Sequence, residues 1–266
     1  MKPWEHFFIL GIAQRFNKWY YNCTRESETM EDTNYYKSIA DNFFKNSCDM
    51  TTFETREQWL KMRMDGIGGS DVSSIMGHNR WRNRKEVYKS KFEVGEEQSN
   101  FAIEFGNDFE PIIFQSFAKK YKEVYATLDY KNTMFRNIFI PYLQASLDGV
   151  LVEKATNKVG ILEIKTTQTK KSKWYYTDGT RGIPQEYLDQ AIHYFNVTNV
   201  DYVVFYALVN YDSDDGNFDR DMEFLRPRRI DREDIKALCQ ETLKECVDFW
   251  ENYVKKGVEP TNRVVF

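Results

Sequence analysis

Residues 145–167 read ASLDGVLVEKATNKVGILEIKTT, and no other stretch restricts the fold as tightly. Two apolar runs, DGVLVE (148–153) and VGILEIK (159–165), flank the polar turn KATNK, which is the pattern of a β-hairpin. A turn centred on Ala155–Thr156 sets Asp148 opposite Glu163 or Ile164. Facing Cβ atoms in such a pair lie about 4.5–5.5 Å apart. Alternation puts Glu163 and Lys165 on one face, with Leu162 and Ile164 turned into the core. Two carboxylates held together repel unless a cation or a shared proton neutralises them. A hard divalent ion such as Mg²⁺ suits them, because it takes oxygen ligands and keeps waters and phosphate oxygens. The backbone carbonyl of Ile164 offers a third oxygen. Lys165 then stands where it would orient or deprotonate an attacking water. The plain alternative is a solvated salt bridge, and a short D…E-x-K pattern alone favours it. The interruption of an apolar strand by this pair favours the site.

The rest of the chain supplies elements around this hairpin. A helix is expected over 56–63, ending at the glycines of DGIGG (65–69), and a short one over 70–77 with Ser70 or Asp71 as its cap. Helical stretches follow at 84–92 and 100–122, the second with Pro111 in its first turn or at a kink. Residues 134–146 read as a strand and its approach, 184–197 as a helix, 201–209 as a buried strand and 211–221 as a loop. Residues 231–256 form a long amphipathic helix with a stripe through Ile235, Leu238, Thr242, Cys246, Phe249 and Tyr253. The layout is α/β, a mixed β-sheet flanked by helices. Residues 1–50 show no clear periodicity, with RESETMEDTN (25–34) as a loop. They read as an N-terminal extension or arm ahead of one domain over 51–266.

The hairpin, together with WLKMRMDGIGGSDVSSIMG (59–77), EFGNDFEP (104–111) and YLDQAIHYF (187–195), resembles the YqaJ-like viral recombinase family of PD-(D/E)xK nucleases, which includes the phage lambda-type exonuclease. The resemblance spans roughly 55–255. It implies a restriction-endonuclease-like core and Mg²⁺-dependent hydrolysis of DNA phosphodiester bonds, with Mn²⁺ as a substitute. Asp148 and Glu163 would be metal carboxylates, Ile164 a backbone ligand, Lys165 the catalytic lysine, and Glu110 a helix-borne acid near a second metal. Gln190 would help to hold the water and scissile phosphate. Arg63 and Ser70 would hold a 5′-terminal phosphate, and Ser146 would make another phosphate contact. The usual Pro-Asp of the first motif is Leu147-Asp148 here. The family further implies 5′→3′ digestion of double-stranded DNA ends to supply single strands for recombination, a ring-shaped homotrimer, and a single-strand annealing protein as partner.

Physical chemistry supports part of this independently. Glycines permit close backbone approach, and a helix starting at Ser70 aims free N–H groups at an anion that Arg63 would clamp. The plain reading of Arg63 is a cation stacked on Trp59, four residues earlier on the same helical face. Glu110 beside Pro111 reads otherwise as a helix-dipole charge, and Gln190 as a polar flank. Lys170, Lys171 and Lys173, next to Trp174, Tyr175 and Tyr176, suit a DNA backbone with unpaired bases, and RWRNRK (80–85) adds basic charge.

The formal net charge of −4 excludes a globally basic binder, though not a local basic groove. None of Cys23, Cys48, Cys239 and Cys246 forms a C-x-x-C pair, so free thiols are expected rather than a zinc ribbon. The apolar stretch FFILGIA (7–13) is too short to cross a membrane, so a cytoplasmic protein is expected. An endonuclease on the same fold, or a DNA-binding protein with a degenerate site, are the rival readings.

Overall fold

A computed structural model describes residues 30–93, 101–167, 182–212, 218–224 and 226–262. The hairpin is present in the expected register. Strand β5 (Gly149–Glu153) pairs antiparallel with β6 (Val159–Thr167), with Gly149 opposite Leu162. The same register carried one residue outward sets Asp148 opposite Glu163.

Around the hairpin a six-stranded sheet runs β2 (Tyr125–Leu128), β5, β6, β7 (Tyr202–Asp212), β8 (Phe218–Phe224), with β9 (Arg228–Asp231) also on β7. β6 and β7 are parallel, and the helix Gln185–Thr198 lies in the crossover between them. A smaller antiparallel sheet takes β1 (Cys48–Thr52), β3 (Thr133–Asn137) and β4 (Gln144–Ser146). In chain order the helices are α1 (Met30–Phe44), α2 (Arg56–Met64), α3 (Gly69–Met76), α4 (Arg84–Lys89), α5 (Phe101–Lys120), α6 (Gln185–Thr198) and α7 (Lys236–Phe249).

The large sheet is covered on both faces, as a parallel pair requires. On one face Phe109, Ile113 and Phe117 of α5 pack on Leu162, Ile164, Val204 and Tyr206. On the other, Val150, Ile161, Val203 and Phe205 meet α1, α3, α6 and α7. Val159 and Ile161 of β6 belong to this second face, and alternation continues it to Glu163 and Lys165 at the carboxyl end of the strand. The two polar side chains therefore stand where the α3–α6 layer meets the end of the sheet.

Several expectations need correction. Residues 30–34 begin α1 rather than a loop, and Ala40 and Phe44, with Cys48 of β1, join the main core. Residues 30–44, in the stretch read as lacking periodicity, are thus a helix packed on the core. Pro111 lies deep inside α5, with its ring exposed; the N–H it lacks would have bonded Asn107, so the omission falls on the solvent side. The α3 cap is Gly68, not Ser70 or Asp71; Asp71 instead accepts the Gly68 N–H at 3.0 Å from inside the first turn. Part of 211–221, expected as a loop, is strand: β7 runs to Asp212 and β8 begins at Phe218. The C-terminal helix opens with a short 3₁₀ turn and ends in a π-turn, Trp250–Val254. Its buried stripe passes through Cys239 rather than Leu238, which is 42% exposed.

Candidate active site

Asp148 lies two residues past the short strand β4 and immediately before β5, and turns its Oδ2 onto the backbone N–H of Ile164 at 2.7 Å. This bond ties the acid to the strand it faces. The Ile164 carbonyl leaves the strand by the same edge as that N–H, where β5 has not yet begun. Glu163 is fully buried: its Oε1 receives Lys165 Nζ, and its Oε2 has no hydrogen-bond partner. An orphaned carboxylate oxygen at this depth costs several kcal/mol unless a cation reaches it. Burial, and then the charge of Glu163, push the Asp148 carboxyl well above the usual range. Burial also raises Glu110 on α5, against the pull of Lys131 and with the push of Glu163. Three acids therefore share one field.

Lys165 answers that field. Burial acts to discharge it, but Glu163 and Asp148 outweigh burial and its pKa rises to about 12. It donates to Gln190 Oε1 at 3.1 Å and lies 5.1 Å from the centre of the Tyr187 ring. Gln190 in turn donates to Tyr194 Oη at 2.5 Å. Tyr187, Gln190 and Tyr194 all stand on α6. Tyr194 is buried, and its hydroxyl is pushed far up, first by burial and then by the charges of Glu163 and Asp148. Sequence reasoning missed both tyrosines. Their spacing of three and four residues from Gln190 was the available signal.

Above this layer lies a cavity of about 410 Å³, with Arg63, Ser70, Glu110, Ser146, Asp148 and Gln190 in its walls. Sequence residues from four separate motifs are thus brought to one space, to which Lys165 and Glu163 are linked through Gln190. At its other end Arg63 Nη2 donates to Ser70 Oγ at 2.7 Å, and the Arg63 guanidinium lies 4.7 Å from the Trp59 ring. Trp59 Nε1 donates to Ser146 Oγ at 3.0 Å. One indole therefore serves both the cation and the serine, and Arg63 does stack on Trp59 as the plain reading expected. The glycines act here through the chain's own packing. A Cβ on Gly69 would stand 2.8 Å from Gln190 Cγ, and one on Gly66 2.6 Å from the Tyr142 carbonyl oxygen. Gly69 is what lets α3 start against Gln190. Lys170, Lys171 and Lys173 lie outside the described residues.

Among the described residues, no group of three His, Cys, Asp or Glu side chains is gathered closely enough to hold a metal ion. The donor set still suits a hard cation. Asp148 and Glu163 form an oxygen pair, one buried oxygen lacks a partner, and an ion of the Mg²⁺ type completes its shell with waters and phosphate oxygens.

The sequence profile of the YqaJ-like viral recombinase domain matches residues 58–201, a span holding every one of these side chains. The chain belongs to this family. The chain is 32% identical over 214 residues to the uncharacterized protein YqaJ of Bacillus subtilis (strain 168). That match covers 77% of this chain but only 59% of the relative, so the chain spans well under two thirds of the protein it matches. Among solved structures, the YqaJ-like fold is similar to LHK-Exo in complex with dAMP, with a TM-score of 0.55 and 20% identity over 76% of this chain and 94% of that one. It is likewise similar to an alkaline exonuclease, LHK-Exo, from Laribacter hongkongensis, with a TM-score of 0.53 and 22% identity over the same shares. These likenesses concern the fold, which is restriction-endonuclease-like: a mixed sheet flanked by helices.

Proposed function

We propose that the chain is a divalent-metal-dependent DNA exonuclease that hydrolyses linear duplex DNA from 5′ ends. The observation that carries this reading is Asp148 facing a buried Glu163 with an orphaned oxygen, beside Lys165, where Asp148 lines a cavity that Arg63, Ser70 and Ser146 also line. Relatives by fold include an alkaline exonuclease, which agrees with it.

Asp148, Glu163 and the Ile164 carbonyl would hold the ion, with Glu110 as a further acid. The bound cation supplies Lewis-acid charge to the scissile phosphate and lowers the pKa of water. Lys165 stabilises negative charge on the phosphate, and its bond to Gln190 sets where the ammonium points. Gln190 orients the attacking water through the same amide. Arg63, Ser70 and Ser146, with the first turn of α3, grip the 5′-phosphate and fix the distance to the bond that is cut. A grip on a terminal group explains end dependence. Mg²⁺ as the ion, 5′→3′ polarity, a recombination role with a single-strand annealing protein, and a homotrimer complete the proposal on family grounds.

The test is cleavage of labelled duplex with Mg²⁺, comparing linear with covalently closed circles. Linear DNA is degraded and circles are spared, and Glu163→Gln or Lys165→Ala lowers the rate by about 100-fold or more. Cutting of circles would point to an endonuclease. No cutting by the wild type, or equal cutting by the variants, would point to a degenerate site.

A further inference from the structure

Behind the Arg63–Ser70 end of the cavity is a charge cluster that the mechanism above does not use. Asp71 is fully buried on α3. It receives Arg82 Nη1 at 2.6 Å and Lys91 Nζ at 2.8 Å, and it pairs with Arg63 Nη2 at 3.6 Å. Lys91, also buried, donates to the Arg63 backbone carbonyl at 3.2 Å, and Arg82 Nη2 donates to Ser90 Oγ at 2.6 Å. One carboxylate so ties the end of α2, the start of α3 and the segment around α4. Apolar side chains of like volume would stabilise such a place as well or better, so stability alone does not account for it. Arginines stay protonated at working pH, and Arg63 and Arg82 already outnumber the acid they share. The surplus positive charge faces the cavity at Arg63, which lines it. A terminal phosphate monoester carries about −1.5 to −2 at neutral pH, against −1 for a diester.

We propose that Asp71 is a positioning residue that holds the Arg63 guanidinium and the first turn of α3 in register for a dianionic 5′-phosphate. This rests on the terminal-phosphate reading above. Arg63 is then set from three sides, by Asp71, by the Trp59 ring and by Ser70 Oγ. Charge and positioning give opposite signs for Asp71→Asn. As a mere negative charge near the phosphate, its removal strengthens the grip. As the anchor of Arg63, its removal weakens the grip.

The experiment compares initial rates on 5′-phosphorylated and 5′-hydroxyl duplex for the wild type, Asp71→Asn, and the pair Asp71→Asn with Lys91→Met. The pair removes the buried Lys91 charge along with its carboxylate, so that only the partly exposed Arg63 and Arg82 lose their anion, and it carries the test if the single variant fails to fold. The wild-type rate ratio exceeds one, and both variants lower it by roughly ten-fold, the order of one lost charge-assisted hydrogen bond. A purely structural defect slows both substrates alike and leaves the ratio standing. A ratio unchanged or raised in the variants overturns the positioning role and leaves the phosphate pocket intact. A wild-type ratio of one overturns the pocket and the inference together.

Discussion

Asp148 and Asp71 are both surrounded by charge, yet their carboxyls move in opposite directions. Around Asp71, burial would raise the pKa, but Lys91, Arg63 and Arg82 hold it far below the usual range. Its stabilising contribution is present above the unfolded value of about 3.9 and is lost as pH falls through the folded value, so Asp71 stays ionised in ordinary acid buffers. Around Asp148, burial and Glu163 win, and the carboxyl is raised. The stability from that group is present below the unfolded value and is lost as pH rises through the folded one. Asp148→Asn, which keeps an acceptor for the Ile164 N–H, therefore raises the melting temperature in EDTA near pH 7.5 by about 2–4 °C, as expected for roughly 1 kcal/mol in a chain of this size. The proposed site predicts a Mg²⁺-induced rise in melting temperature for the wild type, and Asp148→Asn should abolish both that rise and cleavage. A lower melting temperature for the variant in EDTA would refute the electrostatic account.

At the scale of elements, the site depends on how closely α3 approaches α6. A helical Gly→Ala change ordinarily stabilises by about 1 kcal/mol. At Gly69 the added methyl meets Gln190 Cγ at 2.8 Å and Tyr194 Cε1 at 3.0 Å, so contact decides the sign. Gly69→Ala should destabilise by about 1–3 kcal/mol in urea unfolding and reduce cleavage by displacing Gln190 from Lys165. Unchanged stability together with full activity would show that α6 gives way freely. The hairpin was legible because a period of two and a short polar turn fix its register locally, and Ala155–Thr156 is its centre. The α2 start was legible too, since Thr55 and Gln58 make a capping box within four residues. The cap of α3 was not. Ser70 is the obvious capping type, but Gly66 and Gly69 must lie against Tyr142 and Gln190, and that packing shifts the helix start to Gly68.

For the whole molecule, the matched family region begins at residue 58, yet the core does not. Phe44 of α1 packs edge-on against Phe135 at 4.8 Å between ring centres, and β1 forms one edge of the small sheet that carries Ser146 on β4. A chain truncated to begin at Phe53 uncovers Phe135 and leaves β3 without its outer partner. It should lose cooperative thermal unfolding, and a sharp transition within a few degrees of the full chain would show that α1 and β1 are dispensable. Among the described residues no helix is long and apolar enough to cross a membrane. Cys48, Cys239 and Cys246 are free and buried, so redox chemistry has no accessible thiol among them.

Local order determined what depends on neighbours along the chain: the hairpin, the pairing of Asp148 with Glu163, the E-x-K face and most helices. Tertiary structure alone decided what depends on elements far apart. The complete burial of Glu163, the Trp59–Ser146 link, the Asp71 cluster and the place of α1 in the core all require surfaces that meet only after the sheet has closed between its helices. Backbone periodicity is set by the nearest few residues, whereas desolvation and charge pairing are set by whatever finally packs on top.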